Sequence, residues 1–205
     1  MRQVQGIEAS QVQIQPFHPL PNADCDVAAV VYGPGDDPDT LLRRFAEGLQ
    51  RHGADVVGIL QRRRMRSAKS RLAPAFTLVG DGDGMPAGGR GARNPAEDCG
   101  LTLRSLAERL SQLMARRPDV VVLNRFGWLE ANGSGLLGAL GIAVEHDIPA
   151  VIAVPEPLFE NWLSATDGLA VRLRCNLASL DHWYAVHGRG SAPSASRSTF
   201  CERWR

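Results

Sequence analysis

The stretch from Asp119 to Glu130, DVVVLNRFGWLE, limits the fold more than any other part of the chain. Val120, Val121, Val122 and Leu123 run without a polar break into Asn124, Arg125, Phe126 and Gly127. A short, continuous, valine-rich run fits a strand covered on both faces, as in a parallel sheet. Ligands of open α/β sheets bind just beyond the carboxyl ends of such strands. Asn124 and Arg125 therefore stand where chemistry is expected.

The same alternation recurs along the chain. Val27 to Tyr32 is an apolar run that ends in Gly33-Pro34-Gly35-Asp36-Asp37-Pro38-Asp39-Thr40. Leu41, Leu42, Phe45, Ala46 and Leu49 then follow at helical spacing, and Gly53 closes that helix. Strand, glycine loop and helix open a nucleotide-type α/β fold. Further strands are expected at Asp55 to Leu60, Ala75 to Val79 and Ile148 to Val154, with an edge strand at Leu169 to Leu173. Helices are expected at Leu101 to Ala115, Leu136 to Glu145 and Pro157 to Leu163, and Leu177 to Val186 reads as a last helix or extended cover. The run ANGSG reads as a polar turn, residues 80–96, dense in glycine, as a mobile loop, and Cys99 as lying in a polar loop.

This pattern divides the chain into an irregular arm (1–24), an α/β domain (25–187) and a polar Ser/Arg-rich tail (188–205). The fold class is α/β, a three-layer sandwich about a mostly parallel sheet of five or six strands with right-handed crossovers. The formal net charge is +1, so no whole-molecule field calls for nucleic acid or membrane. No apolar run approaches the ~20 residues of a membrane span. The opening residues MRQVQGIEAS lack the apolar core of a secretory signal, which points to the cytoplasm. The four cysteines (Cys25, Cys99, Cys175, Cys201) form no CxxC pair, so Cys25 and Cys175 read as reduced, mostly buried thiols.

The first loop invites comparison with G-x-x-x-x-G-K-[ST], in which backbone amides cradle phosphate, lysine reaches the terminal phosphates and a hydroxyl holds magnesium. Gly33 and Thr40 occupy the first and last positions, but Pro38 replaces the second glycine and Asp39 the lysine. Asp36 and Asp37 add negative charge where a triphosphate would lie, and carboxylates there suit helix capping better. The partner half of such a site is a strand ending in a magnesium-ordering Asp and a catalytic Glu. Asn124 and Arg125 hold those places, and arginine stays protonated and cannot act as a base.

NRFGWLE, the helix marked by Cys99 and Leu101, and the run IPAVIAVPEPLFENW together resemble an uncharacterised bacterial family grouped with P-loop nucleoside triphosphatases. That family is similar to the small thermophile-type nucleoside triphosphatases, which carry D-E-x-G-x-x-E after the central strand. Asn124, Arg125, Gly127 and Glu130 fall on its D, E, G and final E, and the likeness covers roughly residues 26–187. It implies a P-loop-NTPase-like fold and, through some relatives, a link to molybdenum metabolism. The lost lysine, Asp and Glu weigh against efficient hydrolysis, since each alone costs orders of magnitude in phosphoryl transfer.

The expectation is a P-loop-like binding protein with a degenerate site for a nucleotide or small oxyanion, without magnesium as a firm requirement. Its ligand-binding set is Gly33, Gly35, Asp39, Thr40, Asn124, Arg125, Gly127 and Glu130; no catalytic residue and no metal ligand is assigned. For Arg125 the competing role is a salt bridge to Glu130 or to the acidic loop around Asp36. A second expectation is a non-catalytic interaction or regulatory module, docking a protein through Arg62 to Arg71. That run lacks aromatic residues to stack bases, so nucleic acid is disfavoured. A homo-oligomer is compatible with either. A weak triphosphatase that recruits Lys69, the chain's lone lysine, is the third. His182 and His187 are badly spaced for a metal, and Ser134 lacks the G-x-S-x-G context of a nucleophile. Trp162 and Trp183 read as packing residues, and Trp128, just past the turn after the strand, as the tryptophan to watch.

Overall fold

Each valine-rich run becomes a strand, and each amphipathic stretch after it a helix. The computed structural model describes residues 26–62, 75–81, 86–87, 95–168 and 170–188. The N-terminal arm, Arg63 to Arg71, most of the glycine-rich segment, and the tail beyond Gly188 lie outside them, as do Cys25, Cys201, His18 and Lys69.

The chain runs β1 (Val27–Tyr32), α1 (Pro38–Arg51), β2 (Val56–Arg62), β3 (Ala75–Val79) and β4 (Pro86–Ala87). It continues as α2 (Pro95–Met114), β5 (Val120–Arg125), α3 (Trp128–Ala131), α4 (Leu137–Glu145) and β6 (Ala150–Pro155). A 3-10 turn (Glu156–Leu158) leads to α5 (Phe159–Ala165), β7 (Val171–Arg174) and α6 (Leu177–His187). The sheet order is β4-β3-β2-β5-β6-β1-β7. β2, β5, β6, β1 and β7 are parallel, whereas β3 and β4 add antiparallel to one edge. Six strands of four residues or more give the mostly parallel sheet that the sequence implies, and the two-residue β4 adds a seventh rung.

Strand alternation divides the core between the two faces of the sheet. Ala28, Val30, Val56, Val120, Val122, Val151 and Ala153 pack with Leu42, Phe45 and Ala46 of α1 and Leu180 and Trp183 of α6. Ala29, Val57, Ile59, Val121, Leu123, Ile152 and Val154 pack with α2, α4 and α5, including Leu110, Met114, Ala139 and Trp162. Helices on both faces make this a three-layer α/β sandwich. Among the described residues, no helix is long and apolar enough to cross a membrane.

Three local expectations need correction. The helix expected from Leu101 begins at Pro95, so Cys99 stands in α2 and not in a loop. Proline at the first helical position has no orphaned N–H to satisfy and carries a helical φ, which explains the earlier start. The polar turn after Glu130 is preceded by a turn of helix, α3, that starts at Trp128. β5 does not stop at Leu123 but continues through Asn124 and Arg125, with a register shift against β6: Leu123 lies opposite Ile152, and Arg125 opposite Ala153.

That irregularity positions the site. Val121 and Leu123 face α2 and α4, so strict alternation would send Arg125 to that face and Phe126 to the other. One extra residue at Asn124 reverses both. Phe126 instead joins the α2–α5 face, edge-on to Trp162 at 5.4 Å between centroids. Arg125 turns to the α1 face, toward the start of that helix.

Candidate functional site

β6 lies between β1 and β5, so the loop after β1 and the end of β5 flank one strand end at the carboxyl edge of the sheet. The loop folds on its own carboxylates. Asp36 N–H donates to the Gly33 carbonyl at 3.3 Å, and Gly33 N–H donates to Asp36 Oδ2 at 2.8 Å. Asp37 caps α1: its Oδ1 accepts from Thr40 N–H at 3.2 Å and its Oδ2 from the Thr40 hydroxyl at 3.0 Å. Thr40 Oγ1 in turn accepts from Arg43 Nη2 at 3.2 Å. Gly35 takes φ +98°, a conformation that only glycine adopts without strain, and is exposed.

Asp39, in the first turn of α1, is 4% exposed. Its carboxylate accepts from Arg125 Nε at 3.0 Å and Nη2 at 2.8 Å, a two-pronged charge-assisted pair. Arg125 keeps 37% of its side-chain surface in solvent, and its guanidinium lies 5.4 Å from the Tyr32 ring centroid. Burial works against the arginine's charge, but the bonds and charge of Asp39 outweigh it, so the pKa of Arg125 is raised. Burial raises the Tyr32 phenol, and Arg125 pulls it partly back. The site is therefore a cation held between a buried anion and an aromatic ring, with one side open.

Asn124, 5% exposed, points away from this pair and donates Nδ2–H to Gln61 Oε1 at 3.0 Å. Glu130 forms a separate centre. Its Oε2 accepts from Gly127 N–H and its Oε1 from Leu136 N–H, both at 3.0 Å, which ties the start of α3 to the start of α4. Gly135, at φ +66°, leaves no room for a Cβ against that carboxylate. Trp128, at the first position of α3, is 77% exposed.

Of the eight expected residues, Gly33, Gly35, Asp39, Thr40 and Arg125 share the carboxyl edge of β1 and β5. Asn124 is engaged with β2, and Gly127 and Glu130 brace the next turn. Arg125 pairs with Asp39 in the first turn of α1, just past the acidic loop, and Glu130 spends its oxygens on amides. Sequence reasoning missed Tyr32 and Gln61, and the usable signal was that each ends, or nearly ends, a strand whose carboxyl end faces this edge. Cys175, just past β7, feels the site too. Burial, then the charges of Asp36 and Asp37, push its thiol up to about 11, so it is protonated and a poor nucleophile at neutral pH. Among the described residues, no three His, Cys, Asp or Glu side chains converge as a metal group would.

Comparison with known proteins agrees with this architecture. The chain is 33% identical over 173 residues to the Molybdenum import ATP-binding protein ModC 2 of Bradyrhizobium diazoefficiens. The match covers 81% of this chain but only 19% of that relative. No solved structure matches significantly. The α/β sandwich is P-loop-NTPase-like, and the family described as Protein of unknown function (DUF2478) matches residues 27–183. With most of its length so matched, this chain is a member of that family.

Proposed function

We propose that this protein is a cytoplasmic P-loop-like binding module that holds a nucleotide or small oxyanion at Arg125 without efficient hydrolysis. The observation that carries the reading is the Arg125–Asp39 pair. A hydrolase of this fold needs a cation at the loop and a carboxylate at the end of the central strand. Here the two charges are exchanged: Asp39 takes the lysine's place and Arg125 the glutamate's. On this reading the likeness to small thermophile-type nucleoside triphosphatases expected from the sequence is one of scaffold alone, without the base or the metal ligand. The ATP-binding, molybdenum-import description of the relative supports nucleotides and molybdate as the ligands to try first.

A thermal-shift panel of ATP, GTP, ADP, phosphate, sulfate and molybdate, with and without magnesium, tests the reading. Saturable binding to the native state raises the midpoint by mass action. A rise that Arg125→Lys diminishes and Arg125→Ala abolishes is expected, with nucleotide turnover at the level of a protein-free control. A flat response to every anion would refute it.

Trp128 favours a second reading. A tryptophan 77% exposed, three residues past Arg125 in sequence, suits a protein-docking anchor, in which case the module would be an interaction or regulatory protein with a vestigial site. Partner capture that survives Arg125→Ala and fails in Trp128→Ala would favour it.

A further inference from the structure

We infer that Asp39 is the specificity-determining residue of this site, acting as a built-in counter-anion that selects compact oxyanions of one or two charges against polyphosphates. The inference rests on the anion-binding reading above and names the ligand class for it.

Three groups of the loop and strand end could receive phosphate oxygens: the Gly33 amide, the Thr40 amide and the Arg125 fork. The chain already supplies an anion to each. Asp36 takes the Gly33 amide at 2.8 Å, Asp37 the Thr40 amide at 3.2 Å, and Asp39 the Nε–Nη2 edge of Arg125 at 3.0 and 2.8 Å. These three carboxylates differ in how readily a ligand could displace them. Asp36 is exposed and can swing into water, and Asp37 is half-buried. The side chain of Asp39 is 3% exposed and is fixed in the first turn of the helix. It has no solvated alternative, so it keeps its edge of Arg125, and a ligand meets only the rest of the guanidinium, which the Tyr32 side chain also hydrogen-bonds.

The consequence is a limit on ligand charge. A single oxyanion on the exposed part of the guanidinium shares Arg125 with Asp39 and Tyr32. A second and third phosphate laid along the loop would meet Asp36 and Asp37, while Asp39 has already neutralised the one cation placed to offset them. Replacing Asp39 by a neutral isostere returns a full positive charge to the site and opens the second edge of the fork. Preference should then move toward pyrophosphate and triphosphate.

The test is calorimetric titration of orthophosphate, pyrophosphate and magnesium-free ATP into wild type, Asp39→Asn and Asp39→Ser, each checked for a native melting profile. Asp36→Asn, at an exposed position, supplies an independent variant should the Asp39 variants fold poorly. The wild type is expected to prefer orthophosphate. Asp39→Asn is expected to tighten pyrophosphate and ATP at least tenfold relative to orthophosphate, with Asp36→Asn moving the ratio the same way by less. Wild-type orthophosphate binding with an unchanged ratio in the folded variants would overturn the role of Asp39 and leave the anion site standing. No binding of any anion by wild type would overturn the anion site itself, and the selectivity with it.

Discussion

Two buried carboxylates stand at the carboxyl edge of this sheet, and they are held in opposite ways. Asp39 and Glu130 are each 4% exposed. Glu130 is bound by two backbone amides, Gly127 and Leu136, whose positions are fixed by the helices they start. Asp39 is bound by a side chain, Arg125, that keeps a third of its surface in water. Backbone amides at helix starts cannot leave, so the Glu130 centre is structural and closed to exchange. A half-exposed guanidinium can be shared, so the Asp39 centre is where a ligand can enter. Burial alone does not separate a brace from a site; the mobility of the partner does.

The largest effect should come from breaking the brace. Glu130→Ala orphans two amides, each costing about 1–3 kcal/mol, so a total loss of about 3 kcal/mol is expected from chemical denaturation. Glu130→Gln, which keeps one acceptor, should recover roughly half of that. Gly135→Ala should fall in the same range, because the left-handed backbone and the carboxylate both resist a Cβ. A loss under about 0.5 kcal/mol in all three would mean that the Glu130 centre is not a brace.

At the Asp39 centre the two partners should differ from each other. Arg125→Ala strands a buried anion and is expected to cost about 2–3 kcal/mol, below the usual range for a fully buried pair because the arginine is part-solvated. Asp39→Asn strands a cation that can hydrate, and should cost about 1 kcal/mol. Equal losses in the two variants would contradict the asymmetry.

The smallest effect is a pH response beside the loop. The Cys175 thiol titrates near 11 against an ordinary 9.0, so the folded state holds that proton more tightly. Its contribution to stability should be intact below pH 9 and decline as pH rises toward 11. In a background with Cys25, Cys99 and Cys201 changed to serine, alkylation by iodoacetamide should be slow at pH 8 and accelerate only above pH 9. Asp36→Asn should lower the pH of that onset, since its charge is one of the causes. Rapid alkylation at pH 8 would place Cys175 in a more open environment than this one.

Much of this arrangement was legible in the residues. Val27 to Tyr32 and Ala75 to Val79 form strands with the expected bounds, because apolar β-branched runs between polar turns leave little choice. The helices follow from their apolar spacing to within a few residues, apart from the earlier start of α2 at Pro95. The loop and the strand end were assigned to one site by comparison with the P-loop pattern, and they lie on either side of β6 at one edge of the sheet. What could not be read is the bulge at Asn124, since one extra residue against β6 leaves no mark in the periodicity of β5 itself. It decides which face Arg125 takes, and hence that Arg125 meets Asp39 and Tyr32. The pairing of Asn124 with Gln61 depends on a neighbour across the sheet, and a single strand's sequence does not carry that information.

The most direct test of the account follows the side chain of Arg125 itself. The Nε–H resonance of Arg125, identified by its disappearance in Arg125→Lys, can be followed in a nitrogen-labelled sample while orthophosphate or molybdate is added. The account predicts a saturable shift of that resonance, with the Leu136 and Gly127 amides at Glu130 unmoved. Saturation of the protein with no change at Arg125, or a shift confined to the Glu130 amides, would contradict it.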